Sequence, residues 1–116
     1  MNKKNVILVT GAAGFIGSHL VDYLLSKDNT VIGLDNLSNG TMHNLKNALD
    51  NKNFSFIKSD ILDLNDCINS CKNIDVVYHL ACLGVRHSLH SPIENHKVNA
   101  EGTLNILEAS KRQPML

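Results

Sequence analysis

The sequence predicts an α/β fold built on a parallel, doubly wound sheet, and three observations favour it. Short apolar runs alternate along the chain with stretches of helical periodicity. The runs are mostly rich in β-branched residues and lack polar alternation, as expected of strands buried on both faces of a sheet. A glycine-rich turn joins the first run to the first helix. The usual strand order of such sheets is 3-2-1-4.

The first predicted strand, residues 6–9, leads into a turn that carries three regularly spaced glycines. Gly11, Gly14 and Gly17 would allow a tight turn, close approach of the backbone to a pyrophosphate, and close packing of the helix on the strand. The helix that opens near Gly14 directs N–H groups and a partial positive charge at phosphates. The turn therefore predicts dinucleotide binding, with a purely structural turn as the alternative.

An acidic residue follows at the position that dinucleotide binding requires. After a helix predicted at 15–27, the second strand, 30–34, ends in Asp35, eighteen residues beyond Gly17. A carboxylate there accepts the ribose hydroxyls of an adenosine and repels a 2′-phosphate. The sequence thus predicts NAD as the cofactor.

Several motifs in this order resemble one family. They are TGAAGFIGSHL, VIGLDNLSNG, KSDILDL, VVYHLA and VNAEGTLNILEAS. The chain resembles the extended short-chain dehydrogenases/reductases, and within them the NAD-dependent nucleotide-sugar epimerases and dehydratases, UDP-glucose 4-epimerase-like members above all. The resemblance implies that residues 1–116 are the NAD-binding portion of such an enzyme and form a partial Rossmann sheet. It also implies truncation before strand five, without the catalytic Ser/Thr, the Tyr-x-x-x-Lys motif or the substrate domain.

The remaining elements continue the alternation of helix and strand. They are predicted as a helix at 42–49, an edge strand at 54–58, a helix at 64–72, a fourth strand at 75–81 beside the first, and a long helix at 92–111. Asp63 and Ser91 are the expected N-caps of the last two helices. Gly102 in the long helix is expected to permit a close helix–sheet contact.

The predicted cofactor contacts lie where the predicted strands end, or are implied by the resemblance. The turn after Asp35 offers donors to the ribose or phosphate, and the resemblance assigns an adenine contact after the third strand. Asp60 has helix capping as its alternative. The full set is Gly11, Gly14, Phe15, Ile16, Gly17, Asp35, Asn36, Ser38, Asn39, Gly40, Asp60, Ile61, Leu80, Ala81, Cys82 and Asn99.

One pair of residues imitates a catalytic motif. Tyr23 and Lys27 fit Tyr-x-x-x-Lys, but Tyr23 lies about 9 Å along the first helix from Gly17, away from the pyrophosphate. His79 is expected to be a packed strand residue, and Tyr78 to lie inside a central strand. We therefore expect no turnover of a sugar nucleotide by this chain.

Composition limits the partners. Eleven basic residues balance eleven acidic ones, which argues against nucleic acid and membrane as partners. No signal peptide or membrane-spanning run is present, so a cytoplasmic location is expected. Three cysteines indicate free thiols, and the spacing of cysteines and histidines predicts no metal site.

The sequence leaves more than one function open. The first interpretation is the NAD-binding portion of a nucleotide-sugar epimerase or dehydratase, with UDP-sugar 4-epimerisation as the parent reaction and a nucleotide sugar bound only by a full-length parent. The alternatives are a stand-alone NAD-binding or regulatory module and an interaction module without catalysis. A homo-oligomer is expected through the fourth strand or the long helix.

Overall fold

A computed structural model describes residues 4–111. The strands are β1 (Val6–Thr10), β2 (Thr30–Asp35), β3 (Phe54–Lys58) and β4 (Val76–His79). The helices are α1 (Phe15–Ser26), α2 (Lys46–Leu49), α3 (Leu64–Ser70), α4 (Val85–His90), α5 (Pro92–His96) and α6 (Gly102–Lys111). A 3₁₀ turn at Met42–Leu45 leads into α2, and a π-helical turn at Lys97–Glu101 joins α5 to α6. Within this range no helix is long and apolar enough to cross a bilayer.

The four strands form one parallel sheet in the order β3-β2-β1-β4, which confirms the predicted order. β1 lies between two neighbours: Ile7 is opposite Val31 of β2 and Val76 of β4. The inner position of β1 explains why Leu8 and Val9 are completely buried. β3 is an edge strand, as predicted.

Helices cover both faces of the sheet, so the fold is doubly wound. Successive side chains of a strand point to opposite faces. One face buries Ile7 and Val9 of β1 against α1 and α2 residues, among them Val21, Leu24 and Ala48. The other buries Leu8 and Leu34 against Cys67 of α3, Cys71 directly after α3, and Ile106 and Ala109 of α6.

β4 is shorter than the predicted strand at 75–81. After His79 the backbone N–H groups of Leu80 and Ala81 turn to the hydroxyl oxygen of Thr10, at 3.0 and 3.1 Å. Leu80 N also donates to the carbonyl oxygen of Thr10 at 3.2 Å, so the ladder with β1 ends at Leu80, and Ala81 N bonds the hydroxyl instead. In residues 4–111 β4 is also an edge strand, so the expectation that Tyr78 lies in a central strand is wrong: its side chain is 40% exposed.

The predicted helices need several corrections. Asp63 is confirmed as an N-cap, since its Oδ1 accepts a hydrogen bond from Asp66 N at 3.0 Å, but α3 ends at Ser70 and not at residue 72. Ser91 makes no side-chain cap bond; it also ends α4, where its N–H donates to His87 O. α1 ends at Ser26 and not at residue 27, and neither α4 nor the π-helical turn was predicted.

Gly102 permits a close contact, although with a loop and not with a strand. A Cβ at this position would overlap the side chain of Ile61, which follows β3. Ile61 is 4% exposed and belongs to the core beneath α6. The missing side chain therefore brings α6 against the loop that ends β3.

α1 packs on the turn that precedes it without room for a side chain at Gly17. A Cβ there would lie 2.9 Å from the carbonyl carbon of Gly11 and 3.1 Å from Ala12 Cα. These neighbours are backbone atoms, which cannot rotate away as a side chain can. Gly84, in contrast, has no atom within 4 Å of an added Cβ.

We expect Gly17→Ala to lower the free energy of unfolding by about 1–2 kcal/mol. The overpacking cost of up to about 3 kcal/mol exceeds the gain of about 1 kcal/mol in helix propensity. Urea denaturation followed by circular dichroism measures the difference. Gly84→Ala is the matched control and should change stability by less than about 0.5 kcal/mol. Equal stabilities of the two variants would contradict the packing described.

Candidate functional site

A groove of about 680 Å³ lies at the carboxyl ends of the four strands. Ligands of open α/β sheets bind in this crevice. All of the residues predicted as cofactor contacts line the groove. Its lining also includes residues that the sequence prediction left out: Leu34, Ser59, His79, Leu83, Val98 and Thr103.

The three glycines of the first turn meet different surroundings. Gly11 has a φ of +70°, and a Cβ there would lie 2.8 Å from Ala81 N, so both conformation and space require glycine. Gly14 precedes α1 with no side-chain cap, and an added Cβ would meet only Gly11 O, at 3.4 Å. Protein packing therefore explains Gly11 and Gly17 but leaves open space beside Gly14.

Asp35 ends β2 with its carboxylate held by two backbone amides. Oδ2 accepts a hydrogen bond from Ala13 N at 2.9 Å, and Oδ1 accepts one from Leu37 N at 2.8 Å. The residue is 8% exposed. An ionised carboxylate has about four acceptor positions, so two remain for ligand hydroxyls. The same side chain thus joins the glycine turn to the end of β2.

The loop after Asp35 is attached to the glycine turn. Asn36 Oδ1 accepts a hydrogen bond from Ser38 N at 3.0 Å, which closes a local turn. Further along, Asn44 Nδ2 donates to Ala13 O at 2.8 Å. A Cβ on Gly40 would lie 2.6 Å from the carbonyl carbon of Ala13, so the loop lies directly against the turn.

The loop after β3 lines the groove beside the end of β2, where Ser59 N donates to Asp35 O at 3.3 Å. Asp60 Oδ1 accepts a hydrogen bond from Leu62 N at 2.9 Å, and it is Asp63 that caps α3. The carbonyl of Ile61 accepts from Asn105 Nδ2 at 2.9 Å and from Cys67 Sγ at 3.4 Å. Burial, with Cys71 as the next cause, raises the pKa of the Cys67 thiol to about 11. This thiol is therefore neutral at physiological pH.

His79 connects β4 to its neighbours through both ring nitrogens. Nδ1 lies 2.7 Å from Thr10 Oγ1, and Nε2 lies 2.9 Å from Thr103 Oγ1. Burial lowers the pKa of His79 below its usual value of 6.5. The expectation of a packed strand residue is incomplete, because the ring also lines the groove. The register of β1 with β4, which pairs Thr10 with His79, is the signal that could have revealed it.

Asn99 lies in the π-helical turn and holds the loop after β4. Its Oδ1 accepts a hydrogen bond from Leu83 N at 2.8 Å, and its Nδ2 donates to Leu83 O at 2.9 Å. The same Nδ2 is 3.2 Å from Asn95 Oδ1. Both polar groups of the Asn99 side chain are therefore bonded to the protein. Cys82, one residue earlier in the loop, is exposed.

Neither tyrosine lines the groove. Tyr23 is 59% exposed, with Lys27 Nζ 5.5 Å from its ring centroid, and Tyr78 is exposed on the edge strand. Within residues 4–111 no three His, Cys, Asp or Glu side chains are arranged to hold a metal ion. The chemistry that the groove offers is backbone N–H groups, two carboxylates, amides, hydroxyls, the His79 imidazole and the Cys82 thiol.

Comparison with known proteins gives consistent matches. The family model described as GDP-mannose 4,6 dehydratase matches residues 8–115. UDP-glucose 4-epimerase from Mycolicibacterium smegmatis is 44% identical over 107 residues, which are 90% of this chain and 34% of that protein. The chain spans about a quarter to a third of the length of the curated relatives it matches.

Solved structures agree with the sequence matches. UDP-N-acetylglucosamine 4-epimerase from Methanobrevibacter ruminantium M1, in complex with UDP-N-acetylmuramic acid, superposes with a TM-score of 0.86 at 40% identity. That match covers 95% of this chain and 35% of the epimerase. dTDP-glucose 4,6-dehydratase from Streptomyces venezuelae, with NAD bound, also has a TM-score of 0.86, at 31% identity over 90% of this chain and 35% of that one.

Proposed function

The chain belongs to the family described as GDP-mannose 4,6 dehydratase, and from this we propose that it binds NAD in the groove at the carboxyl ends of its strands. Its sequence corresponds to the N-terminal part of nucleotide-sugar epimerases and dehydratases. One observation carries the proposal: a glycine turn with open space beside Gly14 and a carboxylate at the end of β2 line the same groove.

The two halves of the dinucleotide would contact different ends of the groove. Asp35 would accept the adenosine ribose hydroxyls, and the loop at Asp60 and Ile61 would contact the adenine. The pyrophosphate would lie against the N-terminal turn of α1, where no side chain caps the backbone. The small residues after β4, Ala81 and Cys82, would let the nicotinamide ribose approach the backbone.

The family's reaction would proceed by oxidation of a sugar carbon by NAD, rearrangement, and reduction, with UDP-sugar 4-epimerisation as the proposed parent reaction. This chain's own contribution would be to bind and orient the cofactor. The second candidate, a binding module without catalysis, is favoured by the position of both tyrosines outside the groove. In either case NAD would be the ligand, and a nucleotide sugar would bind only to a full-length parent.

We expect at least tenfold tighter binding of NAD than of NADP, measured by titration calorimetry. The Asp35 carboxylate would accept a 2′-hydroxyl but repel a 2′-phosphate, and tenfold corresponds to about 1.4 kcal/mol. Asp35→Asn should weaken the binding of NAD and narrow the difference in affinity between NAD and NADP. Asp60→Asn removes a charge from the loop after the neighbouring strand β3, where the proposed contact is with the adenine and not with the 2′ position, and should leave the ratio unchanged. Equal affinities of the unsubstituted chain for the two dinucleotides would contradict the proposal.

We also expect that the 116-residue chain with added NAD does not convert UDP-galactose to UDP-glucose. Loss of a positioned acid or base alone typically slows such a step by a factor of about 10²–10⁴, and the groove holds no tyrosine. The coupled assay should include Tyr23→Phe. Activity that disappears with this change would assign Tyr23 a catalytic role and overturn the expectation.

Self-association through the helical face that follows β4 is a further part of the proposal. Large apolar side chains are exposed there: Val85, Leu89, Ile93, Leu104 and Leu107, with exposures from 57% to 81%. Leu104 and Leu107 lie three residues apart on α6 and so on one side of it. A second copy of the chain would cover this face. A cytoplasmic location is proposed as well, since all three cysteines are free thiols.

We expect a dimer in sedimentation velocity at tens of micromolar. Leu107→Glu would place a charge in the apolar contact and should yield monomers. Leu49→Glu is the control, because Leu49 is a 50% exposed apolar residue on α2, at a different surface. A monomeric unsubstituted chain, or equal dissociation of both variants, would count against this interface.

A further inference from the structure

A chain of hydrogen bonds crosses the floor of the groove from β1 to the π-helical turn, with His79 at its centre. The ring joins Thr10 on one side to Thr103 on the other. The Thr103 hydroxyl donates to the backbone carbonyl of Asn99 at 2.7 Å. Thr10 is completely buried, and the other members are half-buried. The network therefore links three elements that line the groove.

The donors and acceptors of this network have one consistent direction. Thr10 Oγ1 accepts from the N–H groups of Leu80 and Ala81. A hydroxyl has two lone pairs and one hydrogen, so its hydrogen is left for His79 Nδ1. A neutral imidazole that accepts at Nδ1 carries its hydrogen on Nε2, which then donates to Thr103. Since Thr103 donates onward to Asn99, only the neutral Nε2–H form satisfies every bond.

We propose that His79 is a positioning residue for the dinucleotide: its neutral ring orients the Thr10 hydroxyl, which fixes the backbone of Leu80 and Ala81, and binding is therefore acid-sensitive. The inference rests on the proposed NAD binding. His79 acts in it through Thr10, as a side chain that shapes the wall of the groove.

Protonation would disrupt the network at one defined atom. The imidazolium has N–H donors at both nitrogens, so Nδ1–H would face Thr10 Oγ1, whose lone pairs already serve two amides. One of these amide bonds would then be lost, and since Leu80 N also donates to the Thr10 carbonyl at 3.2 Å, the loss would fall chiefly on the amide of Ala81. Around the ring, the direct partners from β1 and from the helix are uncharged hydroxyls. The titratable groups that line the same groove are Asp35 on β2, Asp60 after β3 and Cys82 after β4.

The direction of the pH effect follows from the lowered pKa of His79. The folded protein favours the neutral ring because burial disfavours the charged one. The stability that this provides is present above the unfolded value of 6.5 and is lost as the pH falls through the lower folded pKa. NAD that binds only the neutral form loses affinity as the pH falls through and below the pKa of His79 in the folded protein.

Titration calorimetry of NAD at pH 7.5 and pH 5.5 tests the proposal. For the unsubstituted chain we expect a Kd at least twofold higher at pH 5.5. His79→Asn has an oxygen that can accept from Thr10 but does not titrate, so its affinity at pH 7.5 should stay within threefold and change less than twofold with pH. His90→Asn, exposed on α4, should keep the original profile. Identical profiles for the unsubstituted chain and His79→Asn would overturn the inference.

A second measurement needs no variant. Nitrogen-15 NMR of the unsubstituted chain at pH 7.5 should show His79 as the Nε2–H tautomer, and the Nδ1–H tautomer would overturn the inference. If the chain does not bind NAD at pH 7.5, the proposed function fails. In that case the NMR measurement of the His79 tautomer and of its titration still decides whether the ring holds the backbone at the end of β4.

Discussion

The fold depends on a backbone contact that excludes side chains. Gly11 lies so close to the end of β4 that a Cβ would be 2.8 Å from Ala81 N, and a Cβ on Gly17 would overlap the carbonyl oxygen of Gly11. β1, β4 and α1 are therefore fixed to one another by their main chains. Because no side chain separates them, the width of the groove at this point is set by backbone geometry.

Polar side chains hold the loops around this contact, and each binds backbone groups of another segment. Asp35 accepts from Ala13, Thr10 accepts from Ala81, and Asn99 both donates to and accepts from Leu83. Buried polar groups require such partners. A substitution at any of these residues therefore changes the shape of the groove as well as its chemistry, and near-isosteric replacements separate the two effects best.

Much of the fold follows from patterns local in sequence. The apolar runs gave β1 and β2, and glycine spacing with an acid after the second strand pointed to the residues that line the groove. What escaped prediction depends on contacts distant in sequence. β4 is shorter than predicted where the Thr10 hydroxyl bonds the amides of Leu80 and Ala81, and Ser91 makes no cap bond at the junction of α4 and α5. The hydrogen bond between His79 and Thr10 can be inferred only from the register of β1 with β4, which places the two residues opposite each other.

The sheet order also constrains how the chain reaches its native state. Asn5, just before β1, bonds Asn29, just before β2, and this contact closes a loop of 24 residues. The contact between Val6 of β1 and Asp75, just before β4, closes a loop of 69 residues. The longer closure costs about 1 kcal/mol more in chain entropy. Pairing of β1, β2 and β3 is therefore less costly in chain entropy than docking of β4. β4 is also the last of the four strands to be synthesised, so the network centred on His79 can form only after the other three strands have left the ribosome.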